Sequence, residues 1–362
     1  MPCCAKEENE REISEMIIEI LFMGSLDKIV KLLFIRTNIF IVIDKSSIFV
    51  ILKQKRHSQM QQRESILKKI YKSIPFRRQI FEVLRSVYIP QKSIYRHLFF
   101  DGKFKVKVDK ENSFYINHYD KHGFIIEDGL FWVGLGVGRE GYSLRLWTEL
   151  SKQSDVIFDI GANTGMYSLL TKSVNKDAQV FGFEPVKRTY DKFKANSDIN
   201  NYDVKCEFMA VSDFTGELTL YDIPEANNYS ATLNKEFSDV RHQSHIDTRF
   251  EAKVKATTLK DYIESNNIAK IDLMKVDVEM HEPEALRGMG EYLQKFQPTL
   301  LIEIFTDKLG KEVQEILQGC DYVYYSIDEE GKAELQKEII ATDESNYLIC
   351  RPEVAKNLGL LK

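Results

Sequence analysis

The run Val156-Ile-Phe-Asp159-Ile-Gly161-Ala-Asn163-Thr-Gly165-Met-Tyr167 constrains this 362-residue chain more than any other. A short apolar strand ends at an acid, and a glycine turn then opens a helix. Nineteen residues after Gly165, at the end of the next apolar stretch, stands Glu184. Strand, glycine turn, helix and strand begin a parallel α/β sheet, and such sheets bind ligands beyond the carboxyl ends of their strands. Gly161 and Gly165 let backbone approach a ligand where a side chain would block it. A carboxylate at Glu184 can accept hydrogen bonds from both hydroxyls of a ribose. The turn lacks the Gly-x-Gly-x-x-Gly of dinucleotide sites, and Asp159 beside it repels a pyrophosphate. S-adenosylmethionine has a ribose, an ammonium and a sulfonium but no phosphate, so the charge pattern favours it over NAD. An NAD-dependent oxidoreductase on a similar sheet is the rival enzyme class. A module that holds a cofactor or docks on a membrane without turnover is the rival outside enzymology.

The texture downstream supports the sheet. Strands are expected over Gln179–Phe183, Val204–Val211, Leu218–Tyr221, Ile271–Val276, Thr299–Ile304, Tyr322–Tyr325 and Tyr347–Cys350. Helices are expected over Glu140–Leu150, Met166–Ser173, Val186–Ser197, Thr258–Ser265, Glu284–Phe296 and Lys308–Gly319. Strands that alternate with helices make a mostly parallel sheet covered on both faces. Asn227–Arg249 is polar and reads as a long loop or flap; His242 and His245 within it read as surface residues.

Four stretches in order carry a resemblance to a known family. They are Phe158-Asp-Ile-Gly-Ala-Asn-Thr-Gly-Met-Tyr167, Phe183-Glu-Pro185, Ala210-Val-Ser-Asp-Phe-Thr-Gly216 and Met274-Lys-Val-Asp-Val-Glu-Met-His-Glu282, with Pro298-Thr-Leu-Leu-Ile-Glu303 following. The chain resembles FkbM-type S-adenosylmethionine-dependent methyltransferases over roughly 140–351. The resemblance implies a class I methyltransferase fold, a Rossmann-like, doubly wound sheet of seven strands with the last antiparallel. It implies that Asp159, Gly161, Asn163 and Gly165 line the methionine end of the cofactor. Glu184 would take the ribose, and Val211, Ser212 and Asp213 would lie near the adenine. The implied acceptor is a sugar of a glycan or a secondary metabolite, methylated on a hydroxyl. One residue departs from the pattern: Met280 stands where the family usually has Gly, and Met adopts a positive φ only at a cost.

Asp277, Glu279, His281 and Glu303 follow or end two successive strands and are expected at one rim. Three readings stay open for them. They can position the acceptor and take its proton, cap the helix that follows, or ligate a divalent metal.

The N-terminal part is chemically different. From Lys45 to Lys107 there are ten Lys and six Arg against Glu64, Glu82 and Asp101, in a chain of net charge −5. The apolar run Ile29–Leu52 before this stretch is broken by Lys31, Arg36, Asp44 and Lys45, too many charges for a spanning helix. Residues 1–60 read as a helical, apolar and basic extension that packs on a partner or on an anionic membrane surface. Residues 61–139 read as a helical and hairpin subdomain, with alternation over Phe99–Ile116, and residues 140–362 as the methyltransferase domain. Six glutamates among the first 19 residues oppose a cleaved leader. Five scattered cysteines make no disulfide framework, so a cytoplasmic location with peripheral membrane contact is expected. The acidic total gives no reason to expect a nucleic-acid partner; the expected partner is a small-molecule or glycan acceptor.

Overall fold

The computed structural model describes residues 40–44, 47–51, 76–119, 125–137, 140–222, 231–241 and 250–361. The chain divides into two compact units, residues 1–76 with 90–94, and residues 77–89 with 95–362. In the first unit, β1 (Phe40–Asp44) and β2 (Ser47–Ile51) pair antiparallel from Phe40↔Ile51 to Asp44↔Ser47. A helical extension was expected there. Phe-Ile-Val-Ile and Ile-Phe-Val-Ile are β-branched and aromatic runs, which suit strands better than helices. Most of residues 1–75 lies outside the described residues, including the start of the helical part expected from residue 61 onward. No helix among the described residues is long and apolar enough to cross a membrane.

The second unit opens with the helix Arg77–Val87 and the hairpin of β3 (Asp101–Lys107) and β4 (Ser113–Tyr119). Phe104, Val106, Phe114 and Ile116 point inward and are buried, while Lys103, Lys105 and Lys107 stay exposed. Among the described residues, the outer edge of β4 has no strand neighbour. Asn196 and Asn200 of the helix Lys187–Asn200 take its place: their side-chain carbonyls accept from the Asn117 and Tyr115 N–H groups at 3.0 and 2.7 Å. Two amide side chains thus satisfy an edge that would otherwise expose unpaired backbone.

The main sheet begins with β5 (Val156–Ile160), β6 (Gln179–Phe183) and β7 (Val204–Glu207), all parallel. Every residue of β5 is buried, as a strand covered on both faces requires. The chain then leaves for a small second sheet: β8 (Ala210–Val211), β9 (Gly216–Asp222) and β10 (Phe250–Thr257). It returns through β11 (Leu273–Val276), β12 (Thr299–Glu303), the hairpin of β13 (Val323–Asp328) and β14 (Lys332–Gln336), and β15 (Asn346–Cys350). The spatial order is β14-β13-β15-β12-β11-β5-β6-β7, with β15 antiparallel to both neighbours. Without β14 this is the implied seven-strand arrangement; the hairpin partner of β13 makes it eight.

Three other differences have local causes. The single strand expected over Val204–Val211 is two, because β8 pairs with β10 and not with the main sheet. The helix expected over Glu284–Phe296 is two, Glu282–Arg287 and Tyr292–Phe296, because Gly290 takes a left-handed φ of 55°. Inside the expected loop, Lys235–Arg241 is helical, while His242 and His245 lie outside the described residues.

The added hairpin has a structural task. Glu329, at its tip, is 7% exposed and accepts from the Tyr142 and Ser143 N–H groups at 2.8 and 3.0 Å. It also takes the Ser143 hydroxyl and the Asn346 amide. It therefore caps the helix Gly141–Ser151, whose own cap residue Glu140 makes no side-chain cap. Glu329→Ala leaves buried helix donors unpaired and is expected to cost about 1–3 kcal/mol in a urea melt; an unchanged midpoint would remove Glu329 from this role.

Candidate active site

Strand register gathers the site. Asp159 of β5 lies beside Gly182 of β6 and Lys275 of β11, and Val276 lies beside Ile302 of β12. The glycine turn, Glu184, Asp277 and Glu303 therefore all leave the sheet at one carboxyl edge.

The turn is held from both sides. The Gly161 and Ala162 N–H groups donate to the Phe183 carbonyl at 3.0 and 2.9 Å. A Cβ on Gly161 would lie 1.9 Å from the Asp277 carbonyl oxygen, and one on Gly165 would lie 2.1 Å from the Phe193 ring. Both glycines, with φ of 79° and 87°, are thus required by packing within the protein. Asp159 is buried and accepts from the Ser168 N–H and hydroxyl at 3.0 and 2.6 Å; burial pushes its carboxyl up to about 6. Glu184 is 6% exposed and accepts from the Asn163 and Val186 N–H groups at 2.9 and 2.8 Å. Burial pushes it up to about 8, against the pull of those two donors. The Asn163 side-chain carbonyl is buried without a hydrogen-bond partner, an acceptor suited to an ammonium donor.

Lys275, which was not singled out from the sequence, is the centre of the charge arrangement. It is 2% exposed, donates to Asp277 at 2.9 Å and sits 5.1 Å from the centre of the Tyr167 ring. Burial acts to lower its pKa, but the carboxylates of Asp277, Glu140 and Glu303 outweigh it and the net shift is upward. Burial, then the neighbouring Asp277 and Glu279, raise the Glu303 carboxyl well above the usual range. Tyr167 donates its hydroxyl to Glu140 at 2.7 Å. Glu140, Asp277 and Glu303 open into one cavity of about 550 Å³.

Glu279 and Met280 have φ of 54° and 75°, so the Met that replaces the family's Gly does stand in the left-handed region. Glu282 holds this turn. It is fully buried and accepts from the Val278 and Met280 N–H groups at 3.1 and 3.3 Å. From the other side, Thr232 donates its hydroxyl to the Glu279 carbonyl at 2.5 Å. Strain of this kind persists only where neighbours over-determine the conformation. His281 points elsewhere: its ring lies 3.0 Å from the Ser212 hydroxyl and 3.6 Å from Glu284, and it does not line the cavity. Val211 is core, Ser212 is buried against His281, and Asp213 is half-exposed near Arg287. The structure thus brings Asp277, Glu303 and the missed Lys275 and Glu140 together, and keeps His281 apart from them.

The chain can now be set beside known proteins. Residues 159–324 match the methyltransferase FkbM domain. The hexuronic acid methyltransferase AglP of Haloferax volcanii is 29% identical over 174 residues, 48% of this chain and 66% of that protein. The 31-O-demethyl-FK506 methyltransferase FkbM of Streptomyces tacrolimicus is 30% identical over 167 residues, 41% of this chain and 64% of that protein. The chain thus spans slightly less than two thirds of each of these relatives. A crystal structure of methyltransferase FkbM from Methylobacillus flagellatus overlays with a TM-score of 0.35 at 16% identity, covering 54% of this chain and 43% of that one. Residues 159–324, from β5 into β13, are thus similar to an FkbM-type methyltransferase domain, a kind of domain that implies S-adenosylmethionine as cofactor.

Proposed function

We propose that the protein is an S-adenosylmethionine-dependent O-methyltransferase that acts on a hydroxyl of a sugar or a metabolite rich in oxygen. The observation that carries this reading is the pairing of buried Lys275 with Asp277, which lines the cavity together with Glu303. Two carboxyl groups in different surroundings, one held by a cation and one driven towards its neutral form, are a recurrent arrangement for proton handling. The cofactor supplies an electrophilic methyl group on a sulfonium. Asp277 orients the acceptor hydroxyl and receives its proton, and Lys275 fixes the carboxylate that does so. The names of the two relatives, one specifying a 31-O position and the other a hexuronic acid, support an oxygen acceptor. On the cofactor side, the Asn163 carbonyl suits the methionine ammonium and Glu184 suits the ribose.

The cofactor part is tested by calorimetry. Glu184→Ala is expected to weaken S-adenosylmethionine by about 1–3 kcal/mol through lost charge-assisted hydrogen bonds. The ionised carboxylate is the better acceptor of two hydroxyls, and Glu184 ionises at about 8. Affinity should therefore rise by about tenfold from pH 7 to pH 9 as the charged fraction fills. Glu184→Gln should abolish that rise. A pH-independent affinity in the unaltered protein would remove Glu184 from the ribose.

A further inference from the structure

The charge of the cavity restricts what can enter it, and this inference rests on the cavity being the acceptor site proposed above. Its inner part is formed by Glu140, Asp277, Glu303 and Glu329, and Glu330, Asp343 and Glu344 are exposed at its rim. Ser345 and Asn346 complete the lining, and among the described residues no Lys, Arg or His lines it. The inner charged groups are already engaged. Lys275 is paired with Asp277, and Glu329 is saturated by helix N–H groups, the Ser143 hydroxyl and Asn346. Glu330, Asp343 and Glu344 form no ion pair among the described residues. Carboxylates that face one opening over low-dielectric walls focus a negative potential into it. An anionic acceptor meets like charge there, whereas a cation replaces water around the rim carboxylates with charge-assisted hydrogen bonds. Among the described residues, no group of three or more His, Cys, Asp or Glu is arranged to hold a metal ion.

We propose that the acceptor is a hydroxyl compound bearing a protonated amine, an amino sugar or amino alcohol, whose ammonium is held by Glu330, Asp343 and Glu344 while its hydroxyl meets Asp277. In the transfer the oxygen–methyl bond forms as the sulfur–methyl bond of the sulfonium breaks. The hydroxyl proton passes to Asp277, the sulfonium becomes a thioether, and the ammonium is unchanged. The H. volcanii relative is named for an acidic sugar; this cavity is built to reject one. Specificity here comes as much from repulsion as from attraction.

The test uses the full chain loaded with S-adenosylhomocysteine and three probes of one shape: the methyl glycosides of glucosamine, N-acetylglucosamine and glucuronic acid. Saturation-transfer NMR titrations at neutral pH read their affinities. The glucosamine probe should bind at least about tenfold more tightly than the N-acetyl probe, and the glucuronide more weakly still. High salt should shrink the difference because the rim charges are screened. The triple variant Glu330→Gln, Asp343→Asn, Glu344→Gln should reduce the preference to below about threefold. Equal binding of the amine and its N-acetyl form, a preference for the glucuronide, or no binding of any probe to the loaded protein would overturn the proposal. So would saturable Mg²⁺ binding in calorimetry that displaces the amine, since the rim would then be a metal site. Failure of S-adenosylhomocysteine to bind at all would sink the methyltransferase reading itself, and the proposal with it.

Discussion

Asp277→Asn is expected to leave cofactor affinity nearly intact and to lower turnover by on the order of 10²–10⁴-fold, the usual worth of a lost general base. The amide keeps the shape and can still accept from Lys275, but it cannot take the hydroxyl proton. His281→Ala is the internal control. Its ring faces Ser212 and Glu284, away from the cavity, so turnover should change little. Thermal denaturation of both variants separates lost chemistry from lost fold. A folded Asp277→Asn protein that binds cofactor and turns over at the unaltered rate would reduce Asp277 to a structural residue. If chelation abolished the unaltered protein's turnover and Mg²⁺ restored it, the carboxylates would be ligands of a metal.

The sheet edge was legible in the sequence because its signals are local. A fully buried five-residue strand, a glycine turn and an acid at the next strand end are read within 29 residues, from Val156 to Glu184. The reason for the glycines was not legible. Gly161 is glycine because the Asp277 carbonyl lies against it, a contact across 116 positions that no local pattern contains. Lys275 was hidden in plain view, since a Lys inside an apolar strand looks like an interruption until the facing carboxylates are placed. A cation at the third position of a buried β-strand, two residues before an acid on the same face, is the signal that was available. His281 is expected at the same rim because it follows the same strand end as Asp277; two left-handed residues lie between them, and the ring packs on Ser212 and Glu284 instead. The strand β10 went unread although Glu251 to Ala256 alternates as a half-buried strand should, and the polar loop before it masked the signal.

Lys275→Met is expected to cost about 3–5 kcal/mol of stability at about pH 8, because it leaves carboxylates crowded around an uncompensated buried position. The cost should depend on pH, and its sign follows from the neighbours. Burial already raises Glu303 and Glu140, and Lys275 acts on both in the opposite direction. Without the lysine their pKa values rise further. A carboxyl whose folded pKa is raised contributes stability that is complete below its ordinary pKa and is lost as pH climbs through the raised value. The variant's deficit should therefore be small at about pH 5, where the group can carry protons, and largest at about pH 8. Adding Asp277→Asn should recover part of the loss, since removing both members of a buried pair is far less costly than removing one. Urea melts of the single and double variants at the two pH values measure all four quantities. A Lys275→Met protein equally stable at both, or a double variant no better than the single one, would show that the lysine is held by its hydrocarbon stem and the Tyr167 ring, and that Asp277 owes its place to the turn that follows it.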